Sequence, residues 1–197
     1  MSMTTRRSIL IYAVLAAVLG VGLVALFLAG PRWLSTPPAS ESTPAAGQTD
    51  ARKIRVRLFF AAADGEHLSE VEQEVPYGEG TVEQAGRIVN ALLGAPPATH
   101  ASPIPPGTKL KTIFLTPKGE AYVDLTPEVR TNHPGGTTNE ILTVYAIVDT
   151  LTSNLPAITG VQILVDGKEV DTLAGHLDLR RPLEQDLSYA NRQPGPQ

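Results

Sequence analysis

The chain has 197 residues, 42% of them hydrophobic and 18% charged, with no cysteine and a formal net charge of -4. The lack of cysteine excludes disulfides, thiolate catalysis and thiolate metal sites. Charge is unevenly spread: Arg6, Arg7 and Arg32 give residues 1–32 a charge of +3, which leaves -7 for the remainder and argues against nucleic acid or anionic headgroups as its partners.

Residues 8–30 carry no charged side chain. At about 1.5 Å per residue such a helix crosses a hydrocarbon core of roughly 30 Å with some tilt, so a transmembrane anchor is expected here. Arg6 and Arg7 place the short tail 1–7 in the cytoplasm and everything after residue 30 outside. A cleaved signal peptide would have a shorter apolar core and a small-x-small site, whereas Phe27-Leu28-Ala29 puts a bulky ring at the first small position. No cysteine is present to form a lipobox. Thr5-Arg6-Arg7-Ser8-Ile9-Leu10 has the look of a twin-arginine signal, but the apolar core is too long for one. Ala13, Ala17 and Gly20 put small residues along the span, a weak pointer to helix pairing.

Residues 31–52 form a Pro/Ser/Thr-rich linker that cannot bury enough apolar surface to fold, and its prolines make it an extended spacer. The folded domain is expected at 53–183, with a polar tail at 184–197.

Within 53–183 three hairpins follow one another. Ile54–Phe60 and Leu68–Val75 flank Asp64-Gly65; Leu110–Leu115 and Ala121–Leu125 flank Pro117-Lys118-Gly119; Val161–Val165 and Val170–Leu173 flank Asp166-Gly167. Asp-Gly between alternating apolar runs is a strong hairpin signal, because glycine supplies the positive φ of a tight turn. Two helices lie between them. The first has Thr81 and Gln84 spaced as a capping box, then an apolar stripe through Val82, Ala85, Ile88, Val89 and Leu92. The second has Thr137 and Glu140 as its capping box and is apolar on most faces, which predicts a central buried helix. The fold class expected is α+β: a single domain of three β-hairpins and two helices on a largely antiparallel sheet, preceded by the N-terminal transmembrane helix.

Four segments in this order, Val56-Arg57-Leu58-Phe59-Phe60, Leu92-Leu93-Gly94-Ala95-Pro96, Ile104-Pro105-Pro106-Gly107-Thr108 and Ala121-Tyr122-Val123-Asp124-Leu125-Thr126, resemble a GerMN domain, the module of sporulation and germination proteins. The run Val148–Thr152 followed by Val161–Gly167 fits the same pattern. The resemblance spans about residues 53–183 and implies a non-catalytic domain on the outer face of a bacterial membrane, one that binds partners or assembles. This chain departs from the tandem, lipoprotein-type arrangement of that family in having one domain behind a membrane helix, so the resemblance transfers the envelope setting more firmly than a sporulation role.

Sites of chemistry are sparse. His67, His100, His133 and His176 are isolated in or beside turns, without the i, i+4 spacing that sets two imidazoles on one helix face, and read as solvent-exposed loop residues. Ser102, His133 and Asp124 can be written as a hydrolytic triad, yet no Gly-x-Ser-x-Gly elbow holds the serine. Asp124, Glu128 and Asp149 are the carboxylates to weigh for sugar chemistry. Asp149, on an apolar helix, needs a partner, and a backbone amide or the hydroxyl of Thr152 or Thr126 is the expected one. Gly78-Glu79-Gly80 reads as a turn without a phosphate fingerprint. No catalytic, cofactor-binding or metal residue is assigned, and no cofactor is expected.

Two loops lean toward binding. Gly94–Thr108 holds five prolines and is long yet stiff, which lowers the entropy lost on binding; His133-Pro134-Gly135-Gly136 precedes the second helix. Either can instead simply cap the core. The expected partners are the membrane, an envelope protein or a second copy of the chain, with peptidoglycan or another small ligand in a cleft near Asp124 and the proline loop as the alternative.

Overall fold

The computed structural model of the protein describes residues 52–190. The cytoplasmic tail, the span 8–30 and nearly all of the linker lie outside these residues; among the described ones no helix is long and apolar enough to cross a membrane. Strands β1 (Lys53–Ala61) and β2 (Leu68–Pro76) lead to helix α1 (Gly80–Leu92). Strands β3 (Leu110–Leu115) and β4 (Glu120–Leu125) follow, then the short α2 (Glu128–Thr131) and the 18-residue α3 (Thr137–Asn154). Strands β5 (Gly160–Val165) and β6 (Lys168–Glu169) and a 3-10 turn at Leu187–Tyr189 complete the order.

The α+β class and the three hairpins are present, but the strands form two sheets rather than one: a β1–β2 ribbon and a four-stranded β3-β4-β5-β6 sheet. In the second sheet β4 and β5 run parallel. The cause is the length of chain between them. A two-residue turn forces an antiparallel partner, whereas α3 gives the chain room to cross over and return in the same direction. The last hairpin turns through Asp166 (φ 53°) and Gly167 (φ 75°), the paired positive φ of a type I′ turn. Its outgoing strand ends after two residues, not at Leu173 as the pattern predicts.

Helix α3 is the centre of the described domain. Val144, Ile147, Val148 and Leu151 are buried, as are Leu58, Phe59 and Phe60 of β1 and Val161 and Ile163 of β5. Helix α1 closes the core with Ala85, Ile88, Val89 and Leu92, while Val82 stays 44% exposed and off that stripe. Neither capping box forms. Glu83 accepts the Glu79 N–H and Gln84 accepts the Gly78 N–H at the start of α1, and Glu140 leaves the start of α3 altogether.

Among the described residues no strand lies beside the far edge of β1; α3 supplies side chains instead. The Asn154 amide accepts the Arg57 N–H at 2.9 Å and donates to the Arg57 carbonyl at 2.7 Å, and Thr150 Oγ1 accepts the Phe59 N–H. Ala101 completes the row by exchanging two backbone bonds with Ala61. Asn154→Ala should therefore strip both groups of Arg57 at once and lower stability by about 1–2 kcal/mol, read as a shift in urea midpoint with an unchanged slope.

Candidate functional site

The two loops singled out above meet. Thr143 Oγ1 on α3 donates to the Pro103 carbonyl at 2.6 Å, and Asn132 Nδ2, just past α2, donates to the Pro106 carbonyl at 2.8 Å. Within the proline loop Thr108 Oγ1 donates to the Pro105 carbonyl, and Ser102 Oγ both accepts the Ile104 N–H and donates to the Ile104 carbonyl. With five prolines and these ties the loop has little conformational entropy left to lose.

On the other side, Gly135 and Gly136 hold φ values of 80° and 86°, a backbone that side chains with a Cβ rarely adopt. This lets the chain turn sharply into α3, where Asn139 Nδ2 donates back to the Gly135 carbonyl. His133 joins the two loops. Its Nδ1 accepts the Gly135 N–H at 2.9 Å, and its Nε2 lies 3.3 Å from Thr143 Oγ1, the hydroxyl that holds Pro103. The Gly135 bond assigns the neutral ring with its proton on Nε2. Burial pushes the His133 pKa below its ordinary value, against the pull of Glu140 and with the push of His176.

Between the loops lies a groove of about 320 Å³, walled by Pro103, Pro105 and Pro106 on one side and Asn132, Pro134 and Asn139 on the other, with Ala61 and Gly65 of the first hairpin at one end. A smaller hollow of about 230 Å³ continues on the far side of the loop toward Leu93 and Thr108. No ionisable side chain lines either. The surface offers proline rings and neutral amides, suited to holding a neutral segment in shape.

The remaining polar residues sit elsewhere. Asp124 belongs to β4, where its Oδ1 accepts the Gly167 N–H at 2.7 Å and its Oδ2 lies 4.0 Å from Lys111 Nζ; it fixes the last hairpin and does not line the groove beside the proline loop. Ser102, His133 and Asp124 share no hydrogen bond with one another among the described residues. His67, His100 and His133 are half-buried rather than exposed, and only His176 is open to solvent. His67 pairs with Asp64 and His100 with Thr99. No cluster among the described residues brings three metal-ligating side chains together.

Two buried carboxylates of α3 tie later segments of the chain to the helix. Glu140, fully buried, accepts the N–H groups of Leu173, Ala174 and His176 at 2.8–2.9 Å, with the His176 ring at 3.2 Å. Burial opposes its charge, but the Ala174, His176 and Leu173 amides outweigh that and hold its pKa below the usual carboxylate range. A local reading missed this, because a glutamate three residues after a threonine satisfies the capping-box pattern whether or not it turns inward. Asp149, also fully buried, accepts the Asp186 N–H at 3.0 Å through Oδ1, while Oδ2 has no partner. The expected amide is therefore found, but it comes from residue 186; Thr152 donates to the Val148 carbonyl instead. Residues 184–190 are thus packed on the domain and are not a free tail; residues 191–197 lie outside the described part.

Comparison with known proteins fits this architecture. No curated protein matches the chain. Among solved structures, the first GerMN domain of the sporulation protein GerM from Bacillus subtilis is 19% identical with a TM-score of 0.51, over 66% of this chain and 97% of that one. The tandem GerMN domains of the same protein are 18% identical with a TM-score of 0.51, over 69% of this chain but 46% of the tandem, so this chain spans about half of that arrangement. A 2.5 Å structure of a Clostridium perfringens protein provisionally classed as a lipoprotein is 24% identical with a TM-score of 0.49, over 72% of this chain and 95% of that one. The model of the Germane family, described as sporulation and spore germination, matches residues 57–171. With more than half of its length under that match, the chain belongs to the Germane family of sporulation and spore-germination domains.

Proposed function

We propose that the chain is a non-catalytic binding module, anchored in a bacterial cytoplasmic membrane by residues 8–30 and holding an envelope protein, or a second copy of itself, in the groove between the proline loop and the His133–Gly136 turn. The observation that carries this reading is the convergence of two stiff loops on one uncharged groove. A groove held rigid before binding loses little entropy when occupied. Ser102, the nucleophile of the triad considered above, is engaged with its own loop, which supports binding over hydrolysis.

Ala101 is exposed at the groove wall and joins β1 through backbone atoms alone, so Ala101→Trp should fill the groove without disturbing the core. A photo-reactive side chain at position 139 of the full chain, in its own membrane, should give one discrete protein adduct. Ala101→Trp should reduce that adduct on the order of tenfold, equivalent to about 1.4 kcal/mol. An adduct indifferent to the tryptophan, or none at all, overturns the reading. Loss of the adduct in the presence of purified muropeptides would replace a protein occupant with peptidoglycan.

A further inference from the structure

We propose that residues 183–190 form a detachable strap over α3, latched through Asp149, whose release uncovers a helix face carrying Tyr145, Asp149 and Ser153. The three residues follow at i, i+4 and i+8 and therefore share one face of the helix. The strap crosses them in reverse order. Leu183 exchanges two backbone bonds with Val161 at the start of β5, Gln185 Nε2 donates to Ser153 Oγ at 2.6 Å, the Asp186 N–H reaches Asp149, and the Tyr189 ring lies 4.6 Å from that of Tyr145.

The chemistry beneath the strap differs from that of a permanent core. Towards β1 and β5 the helix offers Val144, Ile147, Val148 and Leu151, all apolar and buried. Towards the strap it offers a phenol, a carboxylate and a hydroxyl, and one carboxylate oxygen has no hydrogen-bond partner. A buried carboxylate with one N–H donor is poorly compensated, and water would satisfy it better. The strap's own apolar contribution is confined to partly buried Leu183, Leu187, Tyr189 and Ala190. Segments held by few apolar contacts open locally, without global unfolding.

Charge sets the direction of release. Asp186 faces Asp149 from the strap and Tyr145 from α3 itself, with Tyr189 against the Tyr145 ring; β1 contributes Arg57, whose guanidinium is engaged at the Ser153 carbonyl, and β5 contributes no ionisable group. Burial pushes the Asp149 carboxyl up to about 6, partly opposed by the Asp186 N–H and reinforced by the Asp186 carboxylate. Between the ordinary aspartate value of 3.8 and about 6 the uncovered carboxyl ionises while the covered one keeps its proton, so opening of the strap grows easier across that window and levels off above it.

Amide hydrogen exchange of the full chain in detergent, corrected for intrinsic rates, tests this at about pH 5 and about pH 8. Protection of residues 183–190 should fall at least about tenfold at the higher pH relative to β1 and β2, and Asp149→Asn should abolish that fall. Tyr189→Ala should loosen the strap at both pH values while leaving β1–β2 protection unchanged. Equal protection at both pH values, a fall of the same size in Asp149→Asn, or a Tyr189→Ala effect spread over the whole domain would each overturn the proposal.

Discussion

Replacing Asp149 by asparagine should stabilise the domain at neutral and alkaline pH by about 2–3 kcal/mol, or roughly 5–10 °C in Tm. The sign follows from linkage. A folded-state pKa of about 6 lies above the ordinary aspartate value of 3.8, so between these limits the folded chain keeps a proton that the unfolded chain has released. Stability therefore falls as pH rises through that window and stays low above it. Asparagine removes the ionisation and with it the repulsion from the Asp186 carboxylate, and keeps an oxygen for the Asp186 N–H. At about pH 4.5 the advantage should shrink to roughly 1 kcal/mol or less, because most of the proton release lies above it. Thermal unfolding of both proteins across pH 4.5–8 checks this; an asparagine variant that is less stable than the parent at pH 8 would contradict it.

The second large effect has the opposite sign. Glu140→Ala should cost about 3–5 kcal/mol, because it leaves the amides of Leu173, Ala174 and His176 without their acceptor and opens a cavity at the start of α3. Glu140→Gln should lose less: one oxygen still accepts, but the new NH₂ faces an N–H donor. Since the folded pKa of Glu140 is lowered, its contribution is present at neutral pH and is lost as pH falls through the acidic range. Denaturant midpoints at about pH 7 and about pH 4 measure both effects. The alanine penalty should be visibly smaller at the lower pH.

These two carboxylates also show where sequence reasoning stops. The hairpins around Asp64-Gly65, Lys118-Gly119 and Asp166-Gly167 were legible because a turn is a local event decided by a few φ angles. Helix α3 was legible because its apolar residues cover most of its circumference. The two loops that build the groove stood out by proline and glycine content. Their meeting did not, since it depends on Thr143, Asn132 and His133 reaching over 40, 26 and 10 residues respectively. Asp149 announced that it needed a partner, but an amide 37 residues away leaves no local trace. The split into two sheets was hidden for the same reason: strand patterns show which face is buried, not which neighbour an edge will accept.

The treatment of the β1 edge bears on how the protein avoids self-templated aggregation. A two-stranded ribbon ordinarily presents two open rims, each able to recruit another chain by backbone bonding. Here one rim is consumed by the Asn154 and Thr150 side chains and by Ala101. The other belongs to β2, whose exposed Glu70, Glu72 and Glu74 alternate along the strand and reach diagonally to Arg57, Arg55 and Lys53 of their own ribbon. Joining that rim to its equivalent on another molecule would set two rows of glutamates side by side and compete for the cations that now neutralise them. Fibril-like growth through this ribbon is therefore blocked on one rim by occupied hydrogen bonds and opposed on the other by electrostatic repulsion.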